Sequence, residues 1–290
     1  MKPQGAVAAG WPVDWLQPNW PAPANVRALF TTRQGGVSNI PYDSMNVGDH
    51  VGDTPADVDV NRAFLARATG VRSVFLKQVH GSEVALLDTP LADGHQADAC
   101  VATVGQLACT IMVADCLPVL LCTEDGSVVA AAHAGWRGLA GVGDAGGGGV
   151  GVLESVHASI HASFNRSFRP LRQQKRALSA IKIIAWLGPC IGPTAFEVGS
   201  EVRTAFEAAQ PEAAQYFTAT GSGKYLANLS GLARLRLQAL GITQIYGNDG
   251  GAPWCTVGNP SRFFSHRRDA GVTGNGFGTT GRMAAVIWRD

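Results

Sequence analysis

Apolar residues along this chain fall into segments of differing period, and the period predicts the elements. Val58–Thr69 places apolar side chains at 60, 64, 65 and 68, the spacing of one helical face, and Gly70 follows as a stop. Ser73–Val79 alternates in the manner of a strand, and Val84–Leu87 reads as the next one. Leu107–Val113 and Leu117–Cys122 are continuous apolar runs, and the turn residues Glu124–Ser127 lead into a third, Val128–Ala132. A strand that is apolar at every position is buried on both faces, so these segments predict the centre of a layered sheet structure. Ile181–Leu187 is a further buried strand, and Ile242–Tyr246 and Ala284–Trp288 close the sheets. Helical spacing returns in Leu153–Phe164, Ser200–Ala209 and Gly231–Leu240, the last ended by Gly241. The first sixty residues carry prolines at 12, 18, 21, 23 and 41, and Thr31–Asp53 is rich in turn residues, which predicts an ordered loop. No repeat or linker divides the chain, so a single domain over 1–290 is expected.

Composition narrows the class. With 290 residues, 46% apolar and 16% charged, the chain is long enough for a large core and too apolar for disorder. A net charge of +1 gives no case for a nucleic-acid partner. No window has the roughly 18 uninterrupted apolar residues that a membrane helix needs, and the proline-broken N-terminal stretch lacks a signal-peptide core. Six dispersed cysteines read as reduced thiols, so a cytoplasmic location is expected. The glycine-rich run Gly141–Gly151 lacks the GK[ST] ending of a phosphate loop. With the basic, acid-free stretch Asn165–Arg176 it reads as a surface insertion over about 141–176.

Three residues stand out chemically: His80 in KQVHG, Cys116 in ADCLPVLL and His133 in HAGWRG. Two imidazoles and a thiolate suit Zn²⁺, and three protein ligands leave a fourth position open. The three are too far apart in sequence to form a local chelate. Only strand ends converging on a cleft would unite them, and the alternative is three polar residues in one core. His157 and His161 share a helix face at i, i+4 but have no acidic or thiol neighbour, so a solvated face is expected.

The segments TTRQGGVS, NVGDHVGD, KQVHG, ADCLPVLL, AAHAGWRG, LGPCIGP, FEVG, LARLRL, FFSHRRD and TGRMAAVIW occur in an order that resembles the YfiH-like family, from about Leu29 to Trp288. That family has been called laccase-domain or polyphenol oxidase, and also purine nucleoside phosphorylase with adenosine deaminase activity. The resemblance implies an α+β fold of two packed, largely buried β-sheets flanked by helices, a YfiH-like layered fold with a metal cleft at strand ends. It implies zinc held by His80, Cys116 and His133, and a purine nucleoside and phosphate as substrates. A zinc-activated water is the chemistry that attack at C6 of adenine requires.

Under that resemblance Arg33 and Arg137 are the phosphate candidates, because guanidinium pairs with phosphate in a bidentate manner. Gly35 and Gly36 would let backbone N–H groups approach the same anion. Asp115 is placed either in proton transfer or as the partner of a metal-binding histidine, and His266 as the acid on the leaving base. Asn46 reads as a turn residue, and Trp136, Phe196 and Trp186 are aromatic candidates for a purine, with core packing the default for the last two. Alternatives are a copper-dependent polyphenol oxidase, since a His₂Cys set also suits copper, and a peptidoglycan-precursor editing factor. Laccases need further histidine-rich copper centres, and the remaining histidines offer only the helix pair. Asn228 stands where the family commonly carries Asp.

Overall fold

The computed structural model describes residues 12, 14–89, 91–142, 149–167, 181–269 and 279–290. Its centre is built from the continuous apolar runs. Strands β6 (Leu117–Thr123) and β7 (Val129–Ala134) are buried at every position and pair antiparallel across the Glu124–Ser127 turn. β8 (Ile183–Leu187) flanks β6 and is followed by β12 (Gln244–Gly247), while β4 (Ala99–Ala102) and β3 (Val84–Leu86) extend the other side. The resulting six-stranded sheet has the order β12-β8-β6-β7-β4-β3. A second sheet, in the order β1-β13-β5-β2, comprises β1 (Val26–Phe30), β13 (Met283–Arg289), β5 (Leu107–Val113) and β2 (Arg72–Phe75).

Successive side chains of a strand point to opposite faces, so each buried strand feeds two cores. Leu120, Cys122, Ala131, Ile184 and Trp186 face the second sheet and meet Cys109, Ile111, Val113, Ala285 and Ile287. The alternate residues Val119, Leu121, Ala130 and Ala132 face the other way. They lie beneath the helices α3 (Val152–Ser167), α4 (Ser200–Ala209) and α5 (Leu229–Ala239), which contribute Val156, Ile160, Phe206 and Leu232. The outer face of the second sheet, with Ala108, Met112 and Val286, packs on Leu65 of α1 (Pro55–Thr69). The layers therefore run helix, sheet, sheet, helix, the α+β arrangement the resemblance implies.

Several elements differ from the sequence expectation for physical reasons. α1 begins at Pro55 rather than Val58, because proline is pre-organised for the first helical turn. Its expected apolar face is rotated: Val58, Asn61 and Leu65 are buried while Val60 is exposed. β1 forms inside the proline-rich leader. A small third sheet, β10-β11-β9, joins β9 (Glu197–Gly199), β10 (Phe217–Gly221) and β11 (Lys224–Ala227). Four of the five β10 residues are exposed, which removes the apolar pattern a strand is read from. Asn228 caps α5 by accepting a hydrogen bond from the Gly231 N–H, a role Asp would also fill. Positions 143–148 of the glycine-rich run and 168–176 of the basic stretch lie outside the described residues. Among the described residues, no helix is long and apolar enough to cross a membrane.

Candidate metal centre

Cys116 precedes β6, and His133 is the penultimate residue of β7 rather than the first beyond it. The antiparallel register sets Pro118 against His133, so the start of one strand lies beside the end of the other. His80 arrives from the loop between β2 and β3. Gln78 holds that loop against β5: its side-chain amide donates to the Met112 carbonyl and accepts from the Met112 N–H, both at 2.8 Å. The ligand atoms of His80, Cys116 and His133 all lie within 4.8 Å of one another. The His80 Nε2 to Cys116 Sγ distance is 3.6 Å. Two tetrahedral ligands with ordinary zinc–nitrogen and zinc–sulfur lengths stand about 3.6 Å apart, so the donor set fits this ion.

A buried carboxylate that sequence reasoning missed organises the cluster. Asp98 is fully buried, just before β4, and its Oδ1 lies 2.8 Å from His133 Nδ1. It also accepts the backbone N–H groups of Val79, His80 and Gly81 at 3.1, 2.8 and 2.7 Å. With Nδ1 engaged, His133 has Nε2 left for a metal. The three backbone contacts hold His80 at a positive φ of 61°, a region that costs energy outside glycine. The only sequence sign of Asp98 is one acid ahead of an apolar strand; the β4–β7 pairing gives it meaning.

The glycines of HAGWRG are required by close approach. A Cβ on Gly135 would sit 2.7 Å from His80 Cδ2 and 3.2 Å from Cys116 Sγ. One on Gly138 would meet the Gly81 carbonyl at 2.6 Å. Gly135 leads into the short helix α2 (Trp136–Ala140), which carries Trp136 and Arg137 to the same opening.

Charge within the cluster is strongly coupled. Burial alone would push the Cys116 thiol up, but the neighbouring His133 and His80 rings outweigh it and lower its pKa. Burial likewise acts against a charged His133, yet Cys116 and Asp98 raise its pKa above the usual imidazole range. The thiol is thus poised as a thiolate, the form that binds metal.

The cluster lines a cleft of about 360 Å³ with Arg137, Arg267, Arg282, His50, His266, Asp115, Trp136 and Phe196 among its walls. Arg137 is exposed, its guanidinium 4.5 Å from the Trp136 ring centroid. His266 is exposed at the start of the short helix α6 (His266–Asp269). Arg282 is a cleft residue the sequence reading passed over. It precedes β13, donates to the Thr280 carbonyl at 2.8 Å, and is lowered in pKa by burial against the opposing pull of Cys116 and Asp115.

Two expectations need correction. Arg33 is not among the cleft residues. Its guanidinium donates to the Asp43 carbonyl and carboxylate and to the Pro260 carbonyl, which pins the N-terminal loop. The Gly36 N–H is not free for an anion either, because it donates to the Ser44 hydroxyl. Asp115 is not the partner of a metal-binding histidine, a place Asp98 holds. Its carboxylate accepts from Thr256 Oγ1 at 2.5 Å and the Arg267 N–H at 2.6 Å, tying the Cys116 turn to α6. Asn46 forms the expected turn, bonding both to Gly48 and to the Arg282 N–H. Trp186 is a core residue, whereas Phe196 and Trp136 reach the cleft.

The family model described as multi-copper polyphenol oxidoreductase laccase matches residues 27–290. The chain belongs to the YfiH-like, laccase-domain family. The purine nucleoside phosphorylase YfiH of Escherichia coli (strain K12) is 44% identical over 275 residues, which cover 94% of this chain and 98% of that one. A purine nucleoside phosphorylase of Haemophilus influenzae is 42% identical over 278 residues, again 94% and 98%. Among YfiH-like structures, the crystal structure of a Neisseria meningitidis protein superposes with a TM-score of 0.79 at 44% identity, covering 96% of this chain and 99% of that one. That of YlmD from Geobacillus stearothermophilus gives 0.70 at 29% identity, covering 92% of each.

Proposed function

We propose that this protein is a zinc-dependent purine nucleoside phosphorylase that also deaminates adenosine. The observation that carries this reading is the meeting, in one cleft, of the His80–Cys116–His133 cluster with three arginines and two aromatic residues. Relatives alike over nearly their whole length bear the phosphorylase name. Adenosine, inosine, guanosine and methylthioadenosine are the substrates this reading admits.

His80, Cys116 and His133 hold the metal. When bound, zinc supplies a Lewis acid that polarises an oxygen and lowers the pKa of a water. Arg137, with its guanidinium 4.5 Å from the Trp136 ring centroid, and Arg267 and Arg282 hold phosphate, a dianion that guanidinium groups match. Trp136 and Phe196 flank the base. Phosphorolysis breaks the C1′–N bond, forms a C1′–O bond to phosphate, and returns a proton to the departing purine. In this reading His266, an exposed residue of the cleft wall, gives that proton. Asp115 acts by position, holding the Arg267 backbone.

The test is product analysis by mass spectrometry. Inosine with phosphate is expected to give hypoxanthine and ribose 1-phosphate, and adenosine without phosphate to give inosine. Hypoxanthine released equally without phosphate overturns phosphorolysis. Stoichiometric copper in the purified protein overturns the zinc assignment. A multi-copper oxidase needs several metal clusters, and among the described residues only one group of three or more metal-capable side chains occurs.

A further inference from the structure

We infer that His157 and His161 form a second metal site, on α3 and apart from the cleft, that takes a borderline divalent transition ion such as Zn²⁺ through both Nε2 atoms. Residues four apart on a helix lie one above the other on the same face. Here the two rings are half-buried rather than splayed into solvent. Their Nε2 atoms are 3.1 Å apart, with ring centroids at 4.4 Å and planes inclined by 58°. Two imidazole nitrogens bound to one zinc at ordinary lengths, with an angle between 90° and 110°, stand about 2.9–3.4 Å apart. The observed spacing falls within that range.

A hydrogen bond from one ring to the other gives the same distance, but it satisfies one nitrogen of each ring at most. Neither ring has another hydrogen-bond partner among the described residues. The backbone that carries them is also held in place. Val156 and Ile160, the residues just before the two histidines, are fully buried in the core. One turn earlier, Glu154 of α3 pairs with Arg236 of α5 at 3.4 Å. Ligands on a fixed helix need little reorganisation to bind, which is what pre-organised metal sites exploit. Two imidazoles without a thiolate suit zinc, nickel or copper and leave the remaining positions to water. The site therefore fills after the cleft centre.

The experiment is zinc titration of the full chain by equilibrium dialysis with elemental analysis. Native protein is expected to take up about two zinc ions per chain, and His161→Gln about one. Cys116→Ala, which removes a cleft ligand, is expected to keep the α3 ion. A double variant, His161→Ala with Ala162→His, preserves composition and helix but breaks the spacing, and it too is expected to lose the second ion. A circular-dichroism melt without zinc checks that each variant is folded. Equal zinc uptake by native protein and His161→Gln, or retention of that ion when the histidine is shifted, overturns the inference. The metal count at α3 is independent of the reaction in the cleft, so failure of either reading leaves the other intact.

Discussion

The cleft centre and the α3 histidine pair bring imidazoles together by different means. In the cleft, one ligand comes from a loop, one precedes a strand and one nearly ends the neighbouring strand. Their meeting depends on the β6–β7 register and on one buried carboxylate that grips two of the three segments. On α3 the two rings are neighbours by helical geometry alone, a turn apart. The first arrangement is therefore vulnerable at residues that touch no ligand atom, and the second only at its own two histidines.

The largest effect belongs to Asp98. Asp98→Ala removes the acceptor of three backbone N–H groups and the partner of the buried His133, at an expected cost of about 3–5 kcal/mol in stability and about 10- to 100-fold in zinc affinity. Denaturant melts and metal titration read both. A variant with native stability and zinc affinity would show that the cluster is held by something else.

Gly135→Ala comes next. The added methyl group cannot coexist with the His80 ring and the Cys116 sulfur where they now stand. Overpacking of this kind costs about 1–3 kcal/mol, and zinc affinity should fall about tenfold or more as the ligands separate. Metal uptake on the α3 pair should be untouched.

A third effect is pH dependence in chelator-treated protein. Burial opposes the Asp98 charge, but the His133 hydrogen bond and charge and the backbone donors hold its pKa below the usual 3.8. Its share of stability is therefore present above pH 3.8 and lost as pH falls through the lower folded value. Taken alone, raised His133 would lose stability as pH climbs from 6.5 to about 9. Taken alone, lowered Cys116 would lose it as pH falls from 9.0 to about 6. Together they hold one proton in that window, on the imidazole when folded and on the thiol when unfolded, so stability should be nearly flat there. Melting temperature against pH checks this: steep loss below about pH 4 and little slope between about 6.5 and 9.

The smallest effect is expected on α3. His157→Gln should change stability by no more than about 0.5 kcal/mol in the absence of metal, and should leave nucleoside turnover unaltered. A large loss of turnover would mean that the two regions are coupled after all.

How much of this was readable from the chain follows from burial. The central strands were, because burial on both faces leaves a continuous apolar run, as in Leu117–Thr123. β10 was not, because an exposed strand has no such pattern. The ligand types of the cleft were readable, but their supports were not. Arg33 shows only as a cation near glycines, while the folded loop gives its guanidinium to Asp43 and Pro260. Arg282 stood inside a recognised segment with nothing to mark it, until the fold brought it to the cleft wall.

The linear chain carries the chemistry of the donors, the layered class and the spacing of His157 and His161, since local periodicity sets side-chain direction within one element. It leaves open which distant elements meet. The pairing of β4 with β7 places Asp98 against His133, and the close approach of Gly135 leaves room for His80 and Cys116. Those facts belong to the tertiary structure, because strand register and packing join residues that no local period connects.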